Sequence, residues 1–229
     1  MTTKANAPSS AATRTVIWDS AIRIFHWTAA ALIPLAWWTA ENGHMDWHRR
    51  IGLTVLGLVV FRLYWGLAGA KTARFASFVK GPKAILAYVG RLKRPYTPSP
   101  GHNPLGALSV IALIAALAAQ VTLGLFAVDV DGIESGPLSH LVSFETGRAA
   151  AELHETSFKV LLTLIGLHIA AIAFYAFALR TNLVGTMVTG KRAASRDGGE
   201  PVNAGGFPIV RFAIGVAIAA GVVAALVQL

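Results

Sequence analysis

The stretch ELHETSFKVLLTLIGLHIAAIAFYAFAL, residues 152–179, decides the fold. A spanning helix needs roughly 20 mainly apolar residues, and this stretch supplies them. It also carries His154 and His168, 14 residues apart. At 1.5 Å and 100° per residue, that spacing is about 21 Å of height and a net rotation of only about −40°. Both rings therefore share one helix face at two depths. Ionisable side chains inside a membrane are costly and functional by default. Helix packing could account for one such histidine. Two stacked on one face ask for partners on other helices.

Working outward, four more stretches are apolar enough to span: residues 22–40, 48–68, 103–128 and 209–229. Pro34 lies inside the first, where a membrane helix tolerates it with a kink. Of the 229 residues, 55% are hydrophobic and 14% charged. Soluble domains carry about 25% charged residues, so the deficit agrees with a membrane protein in contact with lipid. There is no cysteine. That excludes disulfides, thiolate metal sites, Fe–S clusters and covalent haem attachment. A metal or haem would need His, Met or carboxylate ligands.

The net charge of +9 is explained by orientation rather than by nucleic acid, and no nucleic-acid partner is expected. Lys71, Arg74, Lys80, Lys83, Arg91, Lys93 and Arg94 lie between the second and third spans. Arg180, Lys191, Arg192 and Arg196 lie between the fourth and fifth. Positive loops stay inside, which puts the N-terminus in the cytoplasm of a bacterial inner-membrane protein and the C-terminus in the periplasm. The loop with Asp129, Asp131, Glu134 and Glu145 then faces the periplasm. The expected organisation is a disordered cytoplasmic tail over 1–15, a transmembrane domain over 16–190, a cytoplasmic linker over 191–207 and a C-terminal transmembrane helix over 208–229. No cleaved signal peptide is read. Residues 74–94 mix basic and apolar side chains and predict an interfacial amphipathic helix. Residues 94–104 are Pro-rich and read as a loop.

Topology supplies the partners. His26 lies near the cytoplasmic start of the first span and His48 at the periplasmic start of the second. The expected pairs are His48 with His154 on the outer side and His26 with His168 on the inner side. Facing helices of a bundle bind cofactors in this way. Two imidazoles close both axial positions of a haem iron, which favours electron transfer over oxygen binding. The predicted fold is an all-α integral membrane four-helix bundle holding two haems, with a fifth, C-terminal transmembrane helix. His44, His102 and His140 read as loop histidines. Arg23 precedes His26 by one turn, Arg49 and Arg50 follow His48, Arg62 lies 14 residues after His48, and Lys159 follows His154. Snorkelling explains most of these cations. Arg23, Arg62 and Lys159 are candidate cofactor-binding residues, with Arg62 and Lys159 the ones to test as partners of a propionate or quinone. No catalytic residue is expected.

The segment VIWDSAIRIFHW, residues 16–27, resembles the opening of the bacterial two-haem cytochrome b family. That family includes the cytochrome b subunit of nickel-iron hydrogenases and the bacterial cytochrome b-561 proteins. DWHRRIG (46–52), FRLYWG (61–66), ARFASFVKGPKAILAYV (73–89), GPLSHL (136–141) and LHE (153–155) are similar too, so the likeness covers roughly residues 16–191. It implies two non-covalent b haems on His26, His48, His154 and His168. It also implies electron transfer between ubiquinone or menaquinone and a redox partner, either a c-type cytochrome or a larger oxidoreductase subunit. Some members oxidise superoxide and reduce quinone without a partner, which is the alternative activity. A haem-free transporter with a histidine proton relay is the non-redox alternative. The fifth span departs from the simplest members.

Overall fold

The computed structural model describes residues 14–91, 103–193 and 207–228. Residues 1–13 of the expected tail over 1–15, the loop residues 94–102 with His102, and residues 194–206 of the expected linker over 191–207 lie outside these, while Arg14 and Thr15 of that tail and Lys191–Ala193 of that linker are strand residues. The helices are α1 (Ser20–Glu41), α2 (Met45–Ala68), α3 (Phe75–Phe78), α4 (Pro82–Arg91), α5 (Pro104–Phe126), α6 (Phe144–Phe177), α7 (Leu183–Thr189) and α8 (Ile209–Val227). Two three-residue strands, β1 (Arg14–Val16) and β2 (Lys191–Ala193), pair antiparallel with Thr15 opposite Arg192.

Local chemistry sets the helix starts. Asp19 caps α1 by accepting from the Ile22 amide at 2.9 Å, and Asn103 caps α5 by accepting from Gly106 at 2.7 Å. Pro104 follows Asn103 at the first helical position, where its missing N–H costs nothing. Ser143 caps α6 by accepting from the Thr146 amide. Because that cap lies well upstream, α6 begins at Phe144, eight residues before the apolar run expected to span, and reaches 34 residues. The expected interfacial helix over 74–94 is instead two pieces, α3 and α4, interrupted at Val79–Gly81, with Pro82 opening the second.

Among the described residues, four helices, α2, α5, α6 and α8, are long and apolar enough to cross a membrane. Their outward faces carry exposed apolar side chains such as Leu108, Leu162, Leu167, Phe174 and Val222, as lipid-facing surfaces must. The chain is a multi-pass membrane protein. α1 has the length, 22 residues, or about 33 Å. His26, Trp37, Trp38 and Thr39 dilute its apolarity, so it is the least lipid-like of the five expected spans.

α2 is the central helix and packs against α1, α5 and α8, while α5 packs along α6. α1 and α6 are not closely packed along their backbones. Their side chains meet across a gap, as Trp37 and Phe158 do with ring centres 6.1 Å apart. One core layer, built from Ile51, Val55, Val59, Leu117 and Leu161, fills mid-bundle. A second, with Ile17, Ala21, Phe61 and the fully buried Trp65, closes the α1 start. There Trp65 donates its indole N–H to Asp19 at 3.1 Å, so the residue that caps α1 also fixes α2. α8 lies on α2 through small residues: a Cβ at Gly215 would come 2.7 Å from Tyr64, and one at Gly57 would meet Val223 at 3.3 Å.

The strand pair, α7 and Gly190 form a clasp that the sequence pattern did not reveal. The Gly190 carbonyl accepts from both Ile17 and Trp18 amides, at 2.8 and 3.2 Å. Gly190 itself sits at φ 74°, and a Cβ there would lie 2.6 Å from the Trp18 carbonyl oxygen. Left-handed backbone at a non-glycine residue costs about 1–3 kcal/mol. Gly190→Ala is therefore expected to lower the thermal unfolding midpoint of the detergent-solubilised protein by that order of free energy. Gly166→Ala, where a Cβ would meet nothing within 4 Å, serves as the control that leaves it unchanged or raised.

Candidate cofactor site

The heptad step of α6 puts His154, Leu161 and His168 on one stripe, each seven residues from the next. Seven residues fall about 20° short of two full turns, so the three side chains stay aligned. Leu161 is 2% exposed and sits in the mid-bundle core. The two histidines above and below it are half-buried. The apolar layer thus separates two imidazole sites on the same helix.

Each α6 histidine faces one from the α1–α2 hairpin. His48 and His154 have ring centres 6.1 Å apart at an interplanar angle of 83°. His26 and His168 have centres 6.4 Å apart at 54°. Helix geometry explains the match. His26 lies 15 residues before the end of α1, and His48 lies three residues into α2. Through the turn at Asn42–His44 their heights differ by about 18 Å, against about 21 Å for the α6 pair.

The pair at the start of α2 opens into a cavity of about 300 Å³ between α1, α2, α5 and α6, within the size range of cofactor sites. Its walls are mainly apolar, with Ile33, Trp37, Val55, Leu117, Val121 and Phe158 among them. His48 Nδ1 lies 2.9 Å from the Ala36 carbonyl of α1, and His154 Nδ1 lies 2.9 Å from the Gln120 carbonyl of α5. A carbonyl only accepts, so both rings carry their proton on Nδ1 and present Nε2 as the lone-pair nitrogen. That is the tautomer a metal-ligating histidine needs, oriented by the second nitrogen. Gly124 makes room for the His154 ring, since a Cβ there would lie 2.9 Å from its Cε1.

The other pair has a different character. Among the described residues, two buried side-chain polar atoms lack a hydrogen-bond partner: His26 Nδ1 and Arg23 Nε. They belong to residues one turn apart on α1. Arg23 does donate through Nη1 to the Val188 carbonyl at 2.6 Å, which ties α1 to α7. Buried polar atoms are paired in the great majority of cases. Two orphans beside an imidazole pair mark a place where further hydrogen-bonding or coordinating atoms belong.

The remaining predicted cations are engaged elsewhere. Arg62 is 3% exposed, stacks over the Phe75 ring at 4.7 Å and donates to the Ala73 carbonyl at 3.4 Å. Lys159 bonds to Glu155 at 2.8 Å on the exposed side of α6. Arg49 bridges Asp46 at 2.5 Å and Glu134 at 2.6 Å, and Arg50 lies over the Trp47 ring. His44 and His140 are exposed, with His44 against Trp38. Sequence reasoning missed Gln120, although a signal was present: it is the lone side-chain amide within the apolar run of α5.

A family model for prokaryotic cytochrome b561 matches residues 17–190. The chain belongs to that family. It is therefore a membrane b-type cytochrome of electron transfer, and b-type haem binding comes with the family, as does a link to quinone chemistry. No curated protein and no solved structure matches the chain. The matched region ends at Gly190, so it includes all four paired histidines and stops short of α8.

The apolar layer carries a prediction of its own. Leu161→Ala deletes a buried side chain and is expected to cost about 2–5 kcal/mol, read as a lower unfolding midpoint in detergent. Leu162→Ala, at the 39% exposed neighbouring position, is expected to leave the midpoint nearly unchanged.

Proposed function

We propose that this cytochrome holds two b haems, one between His48 and His154 and one between His26 and His168. In this reading it relays electrons between the quinone pool and a redox partner, either a c-type cytochrome or an oxidoreductase subunit. The observation that carries it is the pair of cross-helix imidazole contacts at 6.1 and 6.4 Å. Two imidazoles bonded to opposite sides of one metal at about 2 Å per bond place their ring centres roughly 6 Å apart. A haem closed on both faces by imidazole supplies one-electron chemistry rather than oxygen binding.

The chain's residues divide the work. The Ala36 and Gln120 carbonyls hold His48 and His154 with Nε2 available. Arg23, with an unpaired Nε beside His26, is the donor we assign to an anionic propionate at that end. Leu161, Val55, Val59 and Leu117 keep water out between the two levels. Arg62 and Lys159 already have partners and are assigned no such contact. The distribution of basic residues supports an inner-membrane protein with the β1–β2 clasp in the cytoplasm and the Asp129–Glu145 loop in the periplasm.

The superoxide-oxidising alternative calls for a cationic approach on the periplasmic side. There Arg49 is neutralised by Asp46 and Glu134, and Arg148 donates to the Val128 carbonyl. Those contacts favour the relay.

Haem extraction from the purified protein is expected to give two haem b per chain. Each of His26→Ala, His48→Ala, His154→Ala and His168→Ala is expected to lose one. The double variants are more decisive. His48→Ala with His154→Ala should retain one haem, whereas His48→Ala with His168→Ala should retain none. A wild-type protein without haem, from haem-sufficient cells, overturns the proposal. Equal haem content in the two double variants overturns the pairing.

A further inference from the structure

α5 contributes no histidine, yet it holds His154 more closely than any other helix does. Three of its features converge on one ring. The Gln120 backbone carbonyl accepts the Nδ1 proton at 2.9 Å, and the Gln120 side-chain amide reaches Nε2 at 3.0 Å. Gly124, one turn on, leaves the space that the ring fills. Gln120 is only 9% exposed, and its amide is not free to turn. Its Oε1 accepts a hydrogen bond from the Ser157 hydroxyl, and Ser157 lies three residues after His154 on α6. With Oε1 taken by Ser157, the amide nitrogen must face His154. It then donates to Nε2, since Nδ1 already carries the ring proton.

Nε2 has one lone pair, and this is the nitrogen assigned to iron in the reading above, on which the present inference rests. A hydrogen-bond donor and a metal compete for that pair. The backbone carbonyl, by contrast, bonds the other nitrogen and is compatible with ligation.

We infer that Gln120 is a two-part positioning residue for the periplasmic haem, its carbonyl orienting His154 for ligation and its side-chain amide competing with the metal for Nε2. The amide keeps the ring aimed into the cavity while weakening the bond formed there. This makes the His48/His154 site the more weakly closed of the two. At the other end, His26 Nδ1 and Arg23 Nε have no hydrogen-bond partner among the described residues.

The test uses the full-length, haem-loaded protein and excess apomyoglobin as haem acceptor. Transfer is followed in wild type, Gln120→Met, Ser157→Ala and Gly124→Ala. The phase belonging to the His48/His154 haem is identified by its absence in His154→Ala. Methionine matches glutamine in length, keeps the backbone carbonyl and removes the donor, so release of that haem is expected to slow by about 2- to 10-fold, the worth of one net hydrogen bond. Ser157→Ala frees the amide to turn away and is expected to slow the same phase less. Gly124→Ala drives a methyl into the ring and is expected to speed it. The other phase stays at the wild-type rate throughout.

If Gln120 merely fills space between α5 and α6, Gln120→Met releases haem at the wild-type rate or faster, and that result overturns the inference. If Gln120→Met does not assemble, an unchanged or faster rate in Ser157→Ala overturns it instead. A wild-type protein with no haem to transfer fails earlier, at the ligation reading itself.

Discussion

Everything in this bundle hangs on the 14-residue step between His154 and His168. A helix that presents two imidazoles on one face, about 21 Å apart in height, requires polar partners at two depths of an apolar medium. Isolated ring nitrogens there have no water to turn to. The hairpin of α1 and α2 answers both with one histidine per helix, because His26 sits near the start of α1 and His48 near the start of α2. Reversal of the chain between them converts a sequence separation of 22 residues into nearly the same height difference. α6 is the ruler, and the α1–α2 turn is set to it. The mid-bundle layer around Leu161 follows, since the stripe between the rings must be filled by apolar side chains.

The supporting contacts show how helices without ligands still shape the sites. α5 orients His154 through Gln120, and the latter half of α1 orients His48 through Ala36. α2 is held at its C-terminal end by Trp65 on Asp19, the residue that also caps α1. One carboxylate therefore fixes the start of the helix bearing His26 and the end of the helix bearing His48. The clasp of β1, β2 and Gly190 then ties the segment before α1 to the segment after α7. It closes the family-matched region on itself before the chain leaves for α8.

Much of this was legible in the sequence. Apolar length located the spans within a few residues at every end except the start of α6, the helical period aligned His154 with His168, and topology set His48 and His26 opposite them. What the sequence did not reveal depends on contacts without periodicity. α7 and the strand pair are too short to carry a pattern. The extra N-terminal turns of α6 lie in a mixed-polarity stretch, and a single Ser143 cap sets their start. Lys159 is a candidate partner of a propionate or quinone by sequence, but Glu155 lies one turn before it on the same face, and that i, i+4 relation was readable. Arg62 could not be judged in the same way. Its cover comes from Phe75 and Ala73, beyond the end of its own helix, and only tertiary structure brings them there.

The two imidazole pairs are not equivalent, and the difference follows from what surrounds each nitrogen. At the start of α2 both Nδ1 atoms meet backbone carbonyls, fixed acceptors that side-chain motion does not remove. The tautomers there are set by the fold. Beside α7, His26 has a buried nitrogen with no acceptor, next to an arginine with a buried donor and no acceptor. His26 Nδ1 and Arg23 Nε were both desolvated when α1 packed, and neither atom has a hydrogen-bond partner among the described residues. Desolvation without compensation is costly, and α1 bears it at two adjacent turns. A site built this way gains more from binding an anionic, metal-bearing group than one whose polar atoms are already paired. On the proposed ligation, this asymmetry favours tighter holding at the His26/His168 end, and the His48/His154 end, with its competing amide, is the more labile of the two.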